Sequence, residues 1–401
     1  MSGLLAASDY YILLEIFIFL AIAQLLHSIT RRAGFPEIVA DLVVGMALGS
    51  YAIGGIIDRA AGIHLFEINA GVLLFADFAV VLLLFSAGLG GGFTSLRKAG
   101  APAVLAAIAG DLVTFGVTFA IFSRFYSPDA ALLIAVAAAA TSAAVAASLI
   151  LHEKLGHTPG GQFLINVAAL DDVVALVLLS VVLAVLGGNS TPFQDVGSVA
   201  ELVVAWVVLL LASVAILPWL FRRPFFQDAP DFPFTVLFVL IAIVLALGFS
   251  PIIGAYIAGL AIAESVVANR TREMTTVLVT VFGALFFIVV GAAFDVGQLL
   301  DPTLVLFAFL LIAIAAVGKV VGVYPFAHYR LGSVASARAV AVGMIPRGEI
   351  GLIVGAIGLE SGILTQQMFG EIVVMAIGTT LLGSVLFQRL APAFRSPQHL
   401  V

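Results

Sequence analysis

The chain has 401 residues, 63% of them hydrophobic and 10% charged, with a net charge of −6 and no cysteine. Apolar runs that recur from end to end at this charge density describe a polytopic, all-α membrane protein and leave no room for a soluble domain. The runs are continuous instead of alternating, which excludes a β-barrel, and the lack of cysteine excludes disulfides and thiolate metal sites.

Thirteen spans are predicted, near residues 10–29, 36–54, 68–89, 99–122, 131–151, 163–186, 198–221, 232–249, 251–267, 274–293, 303–325, 335–358 and 369–388. Each is long enough to cross a bilayer as a helix. Only Ser250 and Pro251 separate spans eight and nine, so charge has to arbitrate the count. Alternate connections carry Arg31, Arg32, Arg97, Lys98, Lys154, Arg222, Arg223, Arg270, Arg272, Arg330 and Arg338, and the tail carries Arg389 and Arg395. The opposite connections hold only Arg59 and Arg124. The positive-inside rule then puts the N-terminus outside and the C-terminus in the cytoplasm, which requires an odd number of spans. Merging spans eight and nine would move the last basic groups to the wrong side. No basic residue precedes the first apolar run, so no cleavable signal peptide is expected. The longest polar break, Gly187 to Asp195, falls outside, and the short tail after Leu390 is expected to leave no cytoplasmic nucleotide-binding domain. The whole is one membrane domain.

Within this frame, span six carries Asp171 and Asp172 in the middle of an apolar run. Adjacent intramembrane carboxylates are costly unless paired, neutralised or hydrated, and mark a functional site by default. Two other spans are built to be broken. Span five is almost all small residues around Thr141 and Ser142, a composition that lets another backbone approach closely. Span twelve contains Pro346, Arg347, Gly348 and Glu349, which should interrupt the helix and free backbone groups for binding. The two spans are seven apart, and an odd offset inverts orientation, as an inverted-topology repeat demands. Arg347 and Glu349 are expected to satisfy freed backbone groups and each other.

Lys319 in span eleven lies at roughly 9 Å from the cytoplasmic end and Asp171 at roughly 12 Å, by the rise of an α-helix. A lysine–aspartate pair is therefore feasible; the alternative is a lysine that snorkels to the surface. Successive residues on a helix point about 100° apart, so one aspartate can face the lysine while its neighbour faces a cavity. Carboxylate oxygens suit a hard cation, and a carboxylate that holds either a proton or a cation makes the two compete. Glu15, Asp41, Asp77 and Asp111 are further acids in spans one to four, each open to interior pairing, to lining a water-filled funnel or to ion binding. His152 and His157 read as solvated loop residues.

These residues resemble the monovalent cation:proton antiporter-2 family, and within it the bacterial sodium/proton antiporters of the NapA type. The resemblance rests on Asp41, Gly45 and Gly49, Phe85 and Gly88, Thr141 and Ser142, Asp171 and Asp172, Gly254 to Gly259, Phe286 to Gly291, Gly318 and Lys319, and Met344 to Leu352. It implies an NhaA/NapA-like fold with two crossed broken helices, and a homodimer working by an elevator mechanism. Residues 1–95 and 226–300 would form a dimerisation scaffold, 96–190 and 301–401 the ion-transporting core, and 191–225 the linking helix. Asp172 would be the main sodium and proton ligand, with Asp171 pairing Lys319 when the ion is absent and Thr141 beside the site. The implied activity is electrogenic exchange of two protons per sodium, with lithium and potassium as further candidate cations. No cofactor, enzymatic activity or nucleic-acid partner is expected. The implied location is the inner membrane. Ser50, where the family often has proline, and Asp111, an extra acid in span four, depart from the pattern.

Three other readings compete. Potassium/proton exchange is the nearest, although Asp171 stands where glutathione-gated potassium systems carry glutamine. An intramembrane aspartyl protease needs two aspartates on different helices and a Gly-x-Gly-Asp signature; the Gly110-Asp111 step is preceded by Ile108 and lacks it. A sodium-coupled solute symporter would be expected to offer more polar side chains in the crossing than alanine-rich span five does.

Overall fold

The computed structural model describes residues 7–33, 35–91, 100–187, 196–247 and 250–394. Arg97, Lys98, Arg395 and the polar break from residue 188 to Asp195 lie outside them. The described chain is helical, with α1 Ala7–Ala33, α2 Glu37–Leu48, α3 Ile53–Ala61, α4 Ala70–Gly91, α5 Ala101–Phe122, α6 Pro128–Ala139, α7 Ala143–His152 and α8 Pro159–Gly187 in its first half. The second half holds α9 Val196–Leu220, α10 Phe232–Ala246, α11 Pro251–Ile262, α12 Ala268–Ala292, α13 Pro302–Leu331, α14 Val334–Gly343, α15 Glu349–Glu360 and α16 Gln366–Leu390.

Local chemistry sets several of these boundaries. Ser127, Ser142, Asp301, Ser333 and Thr365 each accept a backbone N–H in the first turn of the helix they precede, satisfying donors that a helix start leaves free. Proline at the first turn opens α6, α11 and α13, where its missing N–H costs nothing. At the far end of α13, Gly332 takes φ 63°, the left-handed conformation that closes a helix.

Every predicted span falls on a helix, but the lengths differ from expectation. Among the described residues nine helical stretches are long and apolar enough to cross a membrane by themselves. Three shorter apolar helices, Phe232–Ala246, Pro251–Ile262 and Val334–Gly343, stand where spans eight and nine and the first half of span twelve were expected. Span two also ends early: Gly49 is extended, Ser50 turns to donate to the Phe66 carbonyl, and α3 follows as a separate helix.

The helices pack in two groups. Helices α5 to α8 lie with α13 to α16, and α1, α2 and α4 lie with α10, α11 and α12, while α9 touches both α8 and α11. Glycine decides how closely the members approach. A Cβ at Gly88 would sit 2.3 Å from the Tyr256 carbonyl oxygen and one at Gly259 would sit 2.1 Å from that of Phe85, so α4 and α11 touch backbone to backbone. Gly45 and Gly291 do the same between α2 and α12, at 1.9 Å from Ile288 O and 2.3 Å from Leu42 O. Between α5 and α13 the contact is Gly322, whose Cβ would lie 2.5 Å from Ala109 O. The motif glycines are thus points where helix axes come as near as the backbone permits.

This geometry makes a paired expectation. Gly322→Ala must push α5 and α13 apart and should destabilise the protein by about 1–3 kcal/mol, as overpacking does. Gly116→Ala, on the open face of the same α5 with nothing within 4 Å, should cause no loss. Thermal unfolding of the detergent-solubilised variants checks both; equal melting temperatures would mean the α5–α13 contact is slack.

Candidate functional site

The site forms where two interrupted helices cross. The α6–α7 span breaks at Ala140, Thr141 and Ser142, with Ala140 and Ser142 extended. The α14–α15 span breaks from Met344 to Gly348. Each break supplies what the other lacks. The Ser142 N–H donates to the Pro346 carbonyl at 2.9 Å, and the Thr141 hydroxyl donates to the Met344 carbonyl at 3.2 Å. A Cβ on Gly348 would lie 2.6 Å from the Ser142 side chain, so only glycine lets the two breaks meet here.

Arg347 is fully buried and ties the crossing to its neighbours. Its guanidinium donates to Thr141 Oγ1 at 2.8 Å, Met344 O at 3.2 Å and Ala315 O at 2.8 Å. Its backbone is held by Thr379 and Thr380 of α16. The expected Arg347–Glu349 pair does not form. Glu349 instead accepts from the Ser142 hydroxyl at 2.7 Å. Gly348 between them, at φ −149° and ψ −125°, is neither helical nor β, and the flanking side chains part, Arg347 to Ala315 O of α13 and Glu349 to Ser142 at the start of α7. Both residues satisfy groups freed by the breaks, each on its own side.

Asp171 lies on α8 directly beneath the first break. Its Oδ2 accepts the Thr141 N–H at 2.9 Å and its Oδ1 accepts from Lys319 Nζ at 2.5 Å. Lys319 is fully buried and does not snorkel. Its ammonium also donates to Asp111 Oδ1 and, at 3.0 Å, to the Ala139 carbonyl. All three ammonium protons therefore have acceptors. Position in a span marked Asp111 as an acid with no assigned role. The missing signal was azimuth: hydropathy gives depth along α5 but not the face turned to α13.

Asp172 differs from its neighbour in every respect but depth. It is 3% exposed and its Oδ1 has no hydrogen-bond partner among the described residues. It lines a cavity of about 690 Å³ shared with Ser142, Glu349, Asp41 and His27, whose mouth carries Arg31 and Glu37. His27 Nε2 lies 2.6 Å from Asp41 Oδ1 in the wall, a pairing that sequence reading did not find because His27 sits close to the basic helix end. A second cavity, about 910 Å³, opens among Ser50, Glu67, Asp77, Glu360 and Gln366, and Asp172 is not in its lining. Along α12 the lining passes from the first cavity, Thr276 to Phe287, to the second, Phe286 to Ala293.

The other acids have separate partners: Glu15 accepts from Asn69 at 3.0 Å, and Asp77 lines the second cavity. His152 and Glu153 meet at 3.4 Å on the surface. Among the described residues no three His, Asp or Glu side chains converge as a resident metal centre. What the arrangement offers is a carboxylate with a bare oxygen on a cavity wall beside a carboxylate–ammonium cluster in which the ammonium and Asp171 are fully partnered and Asp111 Oδ2 is not.

Removing one member of that cluster exposes the rest. Lys319→Ala leaves Asp111 and Asp171 buried without their shared cation and should cost about 3–5 kcal/mol, as breaking buried ion pairs does. Adding Asp171→Ala should restore part of the lost melting temperature. Strictly additive losses in that double-mutant cycle would argue against the pair.

A family model described as sodium/hydrogen exchanger, transmembrane, matches residues 16–391. Similar proteins span nearly all of the chain. An Na(+)/H(+) antiporter of Enterococcus hirae is 25% identical over 90% of this chain and 93% of its own. The high-affinity Na(+)/H(+) antiporter NhaS3 of Synechocystis is 27% identical over 92% and 87%. The Na(+)/H(+)-K(+) antiporter GerN of Bacillus cereus is 24% identical over 93% and 95%. The fold is that of the sodium proton antiporter MjNhaP1 from Methanocaldococcus jannaschii, with a TM-score of 0.71 at 16% identity over 96% of this chain and 100% of that one. The crossed breaks, the buried charges and the family match lead to one conclusion: the chain is a multi-pass membrane protein of the sodium/hydrogen exchanger family, a secondary transporter and not an enzyme.

Proposed function

We propose that the protein exchanges a monovalent cation, sodium in the first instance, for protons, and that Asp172 is the group at which the two compete. The observation that carries this reading is the unpartnered, buried Oδ1 of Asp172 on the wall of the first cavity. A carboxylate in that position must hold either a proton or a cation to be neutralised. Sodium would be cargo, bound between Asp172 and Asp171 with Thr141 and Ser142 beside it. Asp171 reaches the ion when its bond to Lys319 opens. The paired aspartates and the lysine support placement in the antiporter-2 branch. Potassium is the second reading, because GerN's name includes it.

The grouping of helices supports a core of 96–190 and 301–401 moving against a scaffold of 1–95 and 226–300, with 191–225 between them. The chain crosses the inner membrane thirteen times on this reading, as inverted repeats, with the N-terminus outside. The first cavity then opens to the cytoplasm, since Arg31 stands at its mouth. Two copies form the dimer through the scaffold, and alternating access follows an elevator movement of the core.

Asp172→Asn should abolish sodium-dependent proton movement in proteoliposomes while leaving a folded protein by size-exclusion chromatography; undiminished flux would remove Asp172 from the site. Comparing sodium, lithium and potassium on the wild type distinguishes the two cation readings.

The cycle is electrogenic on this reading, one proton leaving Asp172 and a second leaving Asp171 as one cation enters, while Lys319 keeps its own. A sodium gradient alone should then generate a membrane potential, and exchange should respond to a potential imposed with potassium and valinomycin. Exchange indifferent to that potential across the active pH range would establish one-for-one stoichiometry.

A further inference from the structure

Asp111 has no part in the exchange described above, yet it is fully buried and its Oδ1 accepts from the same ammonium as Asp171. We infer that Asp111 is a positioning residue that retains Lys319 on α5 when Asp171 turns to the cation, so that the lysine is never left without a carboxylate. The inference rests on the proposed cation site and adds to it the group that receives the displaced lysine.

Three features of the structure carry it. The first is how the helices are joined. Asp111 is on α5 and Lys319 on α13, and these helices touch backbone to backbone where Gly322 meets Ala109. A Cβ on Gly318 would lie 2.9 Å from Thr114 Oγ1, so the contact continues a turn further along both helices. The carboxylate and the ammonium are thereby fixed at one separation. Asp171 belongs to a third helix, α8, and has a second partner of its own in the Thr141 N–H.

The second feature is the lysine stem. A Cβ on Gly110 would lie 3.0 Å from Lys319 Cδ and 3.5 Å from Nζ, so the residue before Asp111 leaves the stem its space. Its path runs along α5, toward Asp111, and not outward to a surface.

The third feature is donor accounting. The ammonium has three acceptors: Asp111, Asp171 and Ala139 O. Loss of Asp171 leaves two, one of them charged. A buried ammonium with no carboxylate is strongly disfavoured, so a lysine with Asp171 as its single anionic partner would resist displacement. With Asp111 present, the cation competes against one of two carboxylates. Asp111 therefore sets how readily cargo opens the Asp171–Lys319 bond, without itself touching the ion.

The test uses binding as its readout, since variants at this site can lose transport. The midpoint sodium concentration for thermal stabilisation is measured on the full-length protein as wild type, Asp111→Asn, Lys319→Gln and the double variant, at one pH and constant ionic strength. Asp111→Asn should raise the midpoint by about tenfold, the equivalent of about 1.4 kcal/mol. In the Lys319→Gln background, with no lysine to retain, the same substitution should leave the midpoint unchanged. An unchanged midpoint in Asp111→Asn overturns the inference. So does an equal rise in both backgrounds, which would make Asp111 a ligand of the ion or a packing residue. If Asp111→Asn does not accumulate, Asp111→Glu takes its place; its displaced carboxylate should raise the midpoint at least threefold with Lys319 present and not with Lys319→Gln, and any other pattern overturns the inference. A wild type that responds to none of sodium, lithium or potassium, in binding or flux, would instead strike down the proposed function.

Discussion

One buried ammonium, held between carboxylates on two different helices, sets the terms for the rest of the site. Lys319 cannot reach water, so its charge has to be met inside the protein. Asp111 and Asp171 meet it, and the broken end of α6 adds the Ala139 carbonyl. Asp171 is in turn oriented by the Thr141 N–H, which exists as a free donor only because the helix is interrupted there. The interruption is held open by its counterpart at Met344 to Gly348, and that counterpart is anchored by Arg347. Charge, helix break and crossing are one connected network, and Asp172 is the member left outside it, facing the cavity.

The division of labour between two adjacent aspartates follows from helix geometry. Side chains one residue apart diverge by about 100°, which is enough to put Asp171 in a dry cluster and Asp172 on a wall. Their chemistry is the same and their surroundings are opposite. One is fully partnered and the other carries a bare oxygen.

Much of this was legible in the sequence because charge is conspicuous in apolar helices. Asp171, Asp172, Lys319 and the Pro346–Gly348 break stand out against their neighbours, and their depths can be counted along a helix. What could not be read was direction. Asp111 had a depth but no azimuth, so its contact with Lys319 was invisible. Arg347 and Glu349 were expected to satisfy each other because they stand two apart at the interruption, yet each finds its partner on a different helix, Ala315 O for Arg347 and the Ser142 hydroxyl for Glu349. The length of span two erred for a related reason: hydropathy does not see where Gly49 extends the chain. The motif glycines, weak as isolated signals, became interpretable once their missing Cβ atoms could be placed against neighbouring carbonyls.

Those backbone contacts also say where the molecule can shear. Helices that meet carbonyl to Cα have no side-chain layer to act as a bearing, and sliding one past the other by a residue would drive a Cβ into the opposing chain. The seams at Gly45 with Gly291, Gly88 with Gly259 and Gly322 with Ala109 therefore weld their helices into rods of fixed register. The walls of the two cavities, lined by Phe287 and Ile165 on one side and by Leu183, Val289 and Phe369 on the other, are faced with longer side chains that can exchange neighbours. In the movement proposed above, slip between the two groups of helices would be confined to those walls, and the charged cluster would ride within one welded body.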